Sequence, residues 1–437
     1  MINENIDMSR PAKERLGFDP ADVPKLSFRN IMRKIGPGII LTGIVIGPGN
    51  ITTSAMMGAN YGYTMMWIVI PIIVMGITFT LSSYNISMLT GMPILHAIRH
   101  YYGGAVSAFC GVALFLSCFF FTLGNISGTG AGMNLIFGLN WKAGALIMLA
   151  VLAFCYLSKG VYSKVEKGIL ICIIGMIVAF YATLVSTGGP EWGAFGRGLV
   201  QWHFAKGSTT TALAYISTNA AVTAGIYGTY LGLEKKWKKE DLFNGAMTAD
   251  AITHIVLVVL ISGAIVLVGA IVLHPQHIAI QTPTQLGDLV RPFLGKAAPI
   301  VMGVAIVGAG FSSLLGNTQR GMVLLNAGID KETGLESRPI KIGCLICLVI
   351  ATIICFVYGG SPVQLIYIAN VATSVATPVA GLFMVLILWK KELFNGIKTP
   401  RILQISMTVC YLFALYITVI GLKTQIPNLV HSFAGIF

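Results

Sequence analysis

Gly47-Pro48-Gly49-Asn50 interrupts the first long apolar run of the chain, near the middle of residues 37–60. Proline lacks an N–H and clashes with the preceding helical turn, so an α-helix does not run through this point unbroken. At bilayer depth a broken helix exposes backbone groups, and these are tolerated only where protein or an aqueous cavity encloses them. Gly47, Pro48, Gly49 and Asn50 therefore mark a candidate binding site inside a membrane. No Asp or Glu lies well inside any of the apolar runs, which limits what such a site can hold.

Outward from this stretch, the 437 residues are 55% hydrophobic and only 10% charged, against roughly 25% charged in a soluble domain. About eleven runs are long enough to cross a ~30 Å hydrocarbon core. They fall at 37–60, 64–91, 105–136, 142–158, 165–187, 209–232, 247–273, 297–326, 340–358, 362–389 and 401–422. The pattern predicts an all-α integral membrane protein; the alternating ~10-residue segments of a β-barrel are missing. Residues 1–35 read as a polar cytosolic tail without the apolar core of a cleaved signal, with an amphipathic lead-in near Phe28–Ile35. Residues 36–390 read as the transporter core, and 391–437 as an eleventh helix with a short outside C-terminus.

The net charge of +13 follows from topology. With the N-terminus inside, 22 Lys and Arg fall on inner segments and six on outer ones, the latter including Lys142, Arg197 and Lys423. This bias places the N-terminus in the cytosol and the C-terminus outside, and it requires no nucleic-acid partner. The compact eleven-span form suits a bacterial inner membrane. All eight cysteines lie in apolar runs; Cys344 and Cys347 have metal-site spacing but no second pair. There is no H-E-x-x-H, no paired intramembrane aspartate and no G-K-[ST] phosphate loop, so neither an intramembrane enzyme nor an ATP-driven pump is supported, and no cofactor is expected. The outer segments 188–208 and 275–296 read as partly structured lids.

A second interruption is expected in the sixth run, where Ser217-Thr218-Asn219 precedes Ala224-Gly225-Ile226-Tyr227-Gly228. The two marked runs are five spans apart and cross in opposite directions. That is the pattern of two inverted repeats of five helices, with the substrate held between the paired breaks. The polar residues there, Thr53, Thr218, Asn219 and Thr223, join the candidate set. Asp250 and His254, at i,i+4 in the seventh run, are the candidates for coupling to protons, against the plainer reading of a cap and an interfacial histidine.

Gly36-Pro37-Gly38, Gly47-Pro48-Gly49-Asn50, Gly58-Ala59-Asn60-Tyr61-Gly62-Tyr63 and Trp67 resemble the first two helices of the Nramp metal transporters. Asn134–Gly138, Ala309–Ser313 with Gly316 and Gly321, and Ala369–Pro378 are similar to the third, eighth and tenth. The resemblance implies a LeuT-type fold with discontinuous first and sixth helices and alternating access. It also places the departures. The family's first-helix Asp falls on Gly47, while its Asn is kept as Asn50. Its sixth-helix Met and His fall on Thr223 and Gly225. Its third-helix carboxylates fall on Thr122 and Asn125, and its tenth-helix Gln on Asn370.

Transition-metal sites rely on carboxylate, imidazole or sulfur ligands, and an unpaired divalent charge among neutral dipoles is heavily penalised. The free amides at the start of the second half-helix favour an anion or a carboxylate instead. The first expectation is thus a carrier of a small polar or anionic solute. The alternative is a divalent cation, hydrated Mg²⁺ or Mn²⁺, at Asn50 and Thr223. A non-transporting sensor or scaffold is the reading of another class. The expected partners are a small solute or ion and the lipid bilayer, and a monomer is compatible with the chain.

Overall fold

The computed structural model describes residues 7–157 and 161–434, with side chains at 7–157 and 174–424. Lys159, Lys164, Lys167 and Cys172, used above, lie outside the described side chains. The described residues form helices and no strand. The first span is α1 (Pro37–Val45) and α2 (Pro48–Tyr61), bent by 65°. The second is α3 (Val69–Thr90), and a short surface helix α4 (Ile94–Tyr102) leads to α5 (Gly104–Phe137). Then come α6 (Trp141–Leu157), α7 (Val161–Ser186) and a lid helix α8 (Trp192–Val200). The sixth span is α9 (Thr209–Asn219) and α10 (Val222–Glu234). The seventh, α11 (Ala246–Val268), runs on through a π-helical turn at Gly269–Leu273. The eighth and ninth are α12 (Ala298–Gly328) and α13 (Arg338–Val357). The tenth is α14 (Pro362–Ala372) and α15 (Ala376–Leu388), and α16 (Arg401–Ala434) closes the chain.

Among the described residues seven helices are long and apolar enough to cross a membrane, and the bent first pair makes an eighth crossing. The other expected runs fall on α6, a shorter apolar helix, on α7, whose side chains are described only from Ile174, and on the broken pair α9–α10. Every run read from the sequence thus coincides with a helix. Pro37 and Pro48 each stand at the first helical position, where a missing N–H is harmless and the fixed φ suits the helix. The sixth span breaks without proline, at Ala220 (φ −129°, ψ 41°) and Ala221 (φ −71°, ψ 137°). The tenth span, continuous over Pro362–Leu388, tightens into a 3₁₀ turn at Thr373–Val375, which was not among the sequence expectations.

Small residues allow the helices to approach closely. A Cβ on Gly111 would sit 2.8 Å from the Gly328 Cα, so α5 and α12 meet backbone to backbone. One on Gly58 would sit 2.0 Å from the Val266 carbonyl oxygen, which seats α2 against α11.

The N-terminal segment is not a free polar tail. Its helix Ala12–Leu16 buries Ala12 and Leu16. Arg15 donates to the Leu89 carbonyl (2.7 Å) at the end of α3, and to the Glu392 (2.7 Å) and Leu393 (3.0 Å) carbonyls before α16. Lys239 donates to the Arg15 carbonyl (2.6 Å), and Lys34 pairs with Asp241. The segment so ties together the loops at one face of the bundle. The lids pack on the opposite face, with Trp67 donating to the His203 carbonyl (2.9 Å) and Ser361 to that of Gln281 (2.7 Å).

Burial raises the pKa of Asp241, but hydrogen bonds from Lys34, the Lys238 amide and Asn244 outweigh it and leave the carboxyl below its ordinary value. Its stabilisation is then present above the ordinary carboxylate range and is lost as pH falls through the lowered value. Protease cleavage after Lys25 or Arg29 is expected to stay slow at neutral pH and to quicken only in acid, or in Asp241→Asn. Gly58→Ala is expected to lower stability by about 1–3 kcal/mol or more by overpacking against a backbone atom, read as a lower melting temperature in detergent.

Candidate functional site

The breaks of the first and sixth spans meet the tenth span at one buried locus. Asn50, at 0% exposure, donates from Nδ2 to Asn219 Oδ1 at 2.8 Å, a direct bridge between the first and sixth breaks. Asn219 in turn donates to the Tyr215 carbonyl at 2.7 Å. Asn370 donates from Nδ2 to the Gly49 carbonyl at 2.9 Å, which brings in the tenth span. That carbonyl can only accept, so the amide orientation is fixed and Asn370 Oδ1 points elsewhere, buried and without a partner. Thr53 returns its hydroxyl to the Gly49 carbonyl (2.9 Å) and lies 3.5 Å from Thr218 Oγ1. Thr223, at 0% exposure, also has a hydroxyl without a partner. A buried hydroxyl or amide oxygen left unpaired costs about 1–3 kcal/mol, a penalty that both oxygens carry here.

Behind the break, neutral side chains take up the exposed backbone. Asn125 Oδ1 accepts from the Gly49 N–H (3.3 Å), and its Nδ2 donates to Ser313 Oγ (2.7 Å). Ser313 donates to the Ile44 carbonyl at 2.6 Å, and Asn317 does so at 3.1 Å. Thr122 is turned back onto its own helix, donating to the Cys118 carbonyl at 2.9 Å. Ser313 and Asn317 were not in the site set read from the sequence, although two polar residues four apart on one face of an apolar helix are a legible signal. Tyr215 enters only through its carbonyl, which no residue pattern reveals.

The glycines are held by contact. A Cβ on Gly47 would lie 2.6 Å from Ser313 Oγ and 2.8 Å from Asn125 Oδ1. One on Gly49 would lie 2.7 Å from Asn370 Oδ1. Gly225 faces the second span rather than the break, where a Cβ would lie 2.8 Å from the Phe79 carbonyl oxygen and 2.9 Å from Ser83 Oγ. Pro48 packs against Gly128 and Gly310. Among the described residues no group of three or more His, Cys, Asp and Glu is arranged to hold a metal ion. Cys344 and Cys347 are buried free thiols.

Over residues 38–424 the chain matches the family described as natural resistance-associated macrophage protein-like. The chain belongs to the Nramp family. It is 25% identical to the divalent metal cation transporter MntH of Agrobacterium fabrum over 415 residues, covering 91% of this chain and 87% of that one. With MntH of Brucella suis biovar 1 the identity is 23% over 377 residues, 84% of this chain and 82% of the relative. A crystal structure of the Eremococcus coleocola manganese transporter, in complex with an aromatic bis-isothiourea substituted compound, superposes with a TM-score of 0.73 at 14% identity. It covers 96% of this chain and 95% of that one. MhsT in complex with L-phenylalanine superposes at 0.58 with 15% identity, over 90% and 99% of the two chains. The fold is therefore LeuT-type, and this Nramp-family chain is a transporter rather than an enzyme.

Asp250 and His254 both grip α1. The Asp250 carboxylate accepts from the amides of Gly36 (3.0 Å) and Gly38 (2.9 Å) and from Tyr84 Oη (3.0 Å). It caps the first half-helix from across the bundle, where a negative charge also suits the helix dipole. His254 Nδ1 is 3.1 Å from Thr42 Oγ1. Asp250→Ala, which frees both amides, is expected to cost about 1–2 kcal/mol. Tyr84→Phe, which removes one donor to the carboxylate, should cost less. Melting temperatures of the two variants in the same detergent check the order.

Proposed function

We propose that this Nramp-family protein is an alternating-access carrier for a small polar or anionic solute, bound where the first and sixth spans break and meet the tenth. Asn50, Thr53, Thr218, Asn219, Thr223 and Asn370 form the binding set, around Gly47, Pro48 and Gly49. The observation that carries this reading is steric. The place of an acidic side chain at position 47 is filled by Ser313 and Asn125, and position 225 is closed by the second span. Neutral, hydrogen-bonded atoms thus stand where the resemblance puts charged or imidazole ligands. A solute bearing both a donor and an acceptor suits what is left. Asn370 Oδ1 accepts from an ammonium or hydroxyl, and the Thr223 hydroxyl donates to a carboxylate.

The second reading is a divalent cation that keeps part of its water shell, with Asn50, Thr223 and Asn370 touching that shell. The likeness to the Agrobacterium and Brucella divalent metal cation transporters favours it. In either reading the face tied together by the N-terminal segment is cytosolic and the C-terminus outside, because the basic residues concentrate on that face. Residues 1–35 then act as an inner fastening, 36–390 as the carrier, and 391–437 as an added helix in a bacterial inner membrane. Asp250 and His254 are placed to couple movement of α1 to protonation.

The test is thermal stabilisation and liposome uptake with amino acids, small carboxylates, Mn²⁺ and Mg²⁺. An organic solute is expected to stabilise the protein by about 2.7 kcal/mol at 100-fold excess over its Kd. Asn50→Ala should remove both the shift and the uptake. Uptake of Mn²⁺ or Mg²⁺ that depends on Asn50, with no response to any organic solute, gives the site to a metal and overturns the first reading.

A further inference from the structure

α12 carries a cation with no carboxylate partner among the described residues. Arg320 is 4% exposed and lies about 12 Å from the helix end at Gly328, at 1.5 Å per residue. Its Nη2 donates to Asn317 Oδ1. Its Nε and Nη1 are buried with no hydrogen-bond partner. The Cys118 thiol of α5 lies beside Arg320, and the neighbouring Gly321 packs on Cys118 and Phe115. A guanidinium stranded at membrane depth with two idle donors is strongly penalised, and intramembrane ionisable groups generally mark ion or substrate routes.

The position adds meaning to the charge. Asn317, which accepts from Arg320, also donates to the Ile44 carbonyl at the broken end of α1 and to Ser313 Oγ (3.0 Å). Ser313 in turn accepts from Asn125, which caps the start of α2. One chain of hydrogen bonds thus runs from the guanidinium to the break. We infer that Arg320 is the binding site of a small monovalent anion, a halide or a carboxylate, which takes up Nε and Nη1 and supplies the missing counter-charge. No hydrogen bond joins Arg320 to Asn50, so this site stands whichever solute occupies the break. A metal result in the uptake assay leaves it untouched.

The purified full-length protein is melted at constant ionic strength in sodium isethionate, a bulky control anion, while chloride, bromide or acetate is titrated in. Chloride or bromide, or else acetate, is expected to raise the melting temperature saturably. A halide response assigns the site to an inorganic ion and an acetate response to a carboxylate. Arg320→Gln is expected to weaken the response at least about tenfold, while Arg320→Lys keeps part of it. Equal melting of the wild type in all anions, or a full response in Arg320→Gln, overturns the inference. If Arg320→Gln does not fold, wild-type crystals soaked in bromide or bromoacetate, whichever form of anion stabilises, provide the reading. A bromine anomalous peak within hydrogen-bond reach of Nε or Nη1 supports the site, and peaks only elsewhere overturn it.

Discussion

Satisfying the backbone at the broken first span is the constraint on which the rest of the structure depends. Hydrocarbon offers no hydrogen bonds, so each amide and carbonyl freed at Gly47–Asn50 needs a partner from the protein. Four side chains supply them: Asn125 for the Gly49 amide, Ser313 and Asn317 for the Ile44 carbonyl, and Asn370 for the Gly49 carbonyl. They come from the third, eighth and tenth spans, so the break recruits the core of the bundle. The close passage of α5 against α12, made possible by Gly111 and Gly328 at one end, brings Asn125 and Ser313 within 2.7 Å of each other at the break.

The same arrangement explains why the site is neutral. Asn and Ser both donate and accept, so a short relay can serve backbone groups of either kind without introducing charge. A carboxylate at position 47 would have to displace Ser313 and Asn125, the very groups that hold α1 and α2 in place. The loss of the acidic ligand and the gain of this relay are thus one structural change. Charge is moved to the ends of the first half-helix instead. Asp250 fastens its start, across the bundle, through two amides and Tyr84.

Much of this was legible in the sequence. Proline within an apolar run forces the first break, and the ten-plus-one pattern of spans follows from run lengths. The break of the sixth span was flagged by polar residues on either side of Ala220–Ala221, although nothing about two alanines marks a break by itself. The 3₁₀ turn at Thr373–Val375 left no such mark, because Ala, Thr and Ser continue a helix nearly as well as they end one. Tertiary contacts decide there: Ser117 donates to the Thr373 carbonyl at 2.7 Å. The docking of the N-terminal segment was also hidden. It rests on Arg15 reaching carbonyl oxygens, a contact that leaves no trace in side-chain patterning. Asp250 and His254 read as a pair by spacing, yet each turns to α1, because a helix face says which neighbours are possible and not which are taken.

Family membership settles the scaffold and leaves the cargo to the local chemistry, since one fold carries sites of different kinds. The described membrane interior holds few fixed charges. Asp250 is neutralised by two amides and a hydroxyl, while Arg320 stands with two donors free. Opposite charges interact over distance far more strongly in a low-dielectric interior than in water. At the break itself a divalent cation would meet only dipoles, at Asn50, Thr223 and Asn370. A solute with a donor and an acceptor would meet the unpartnered oxygens of Asn370 and Thr223. The distribution of fixed charge, more than any single residue, is what the two readings of the cargo have to accommodate.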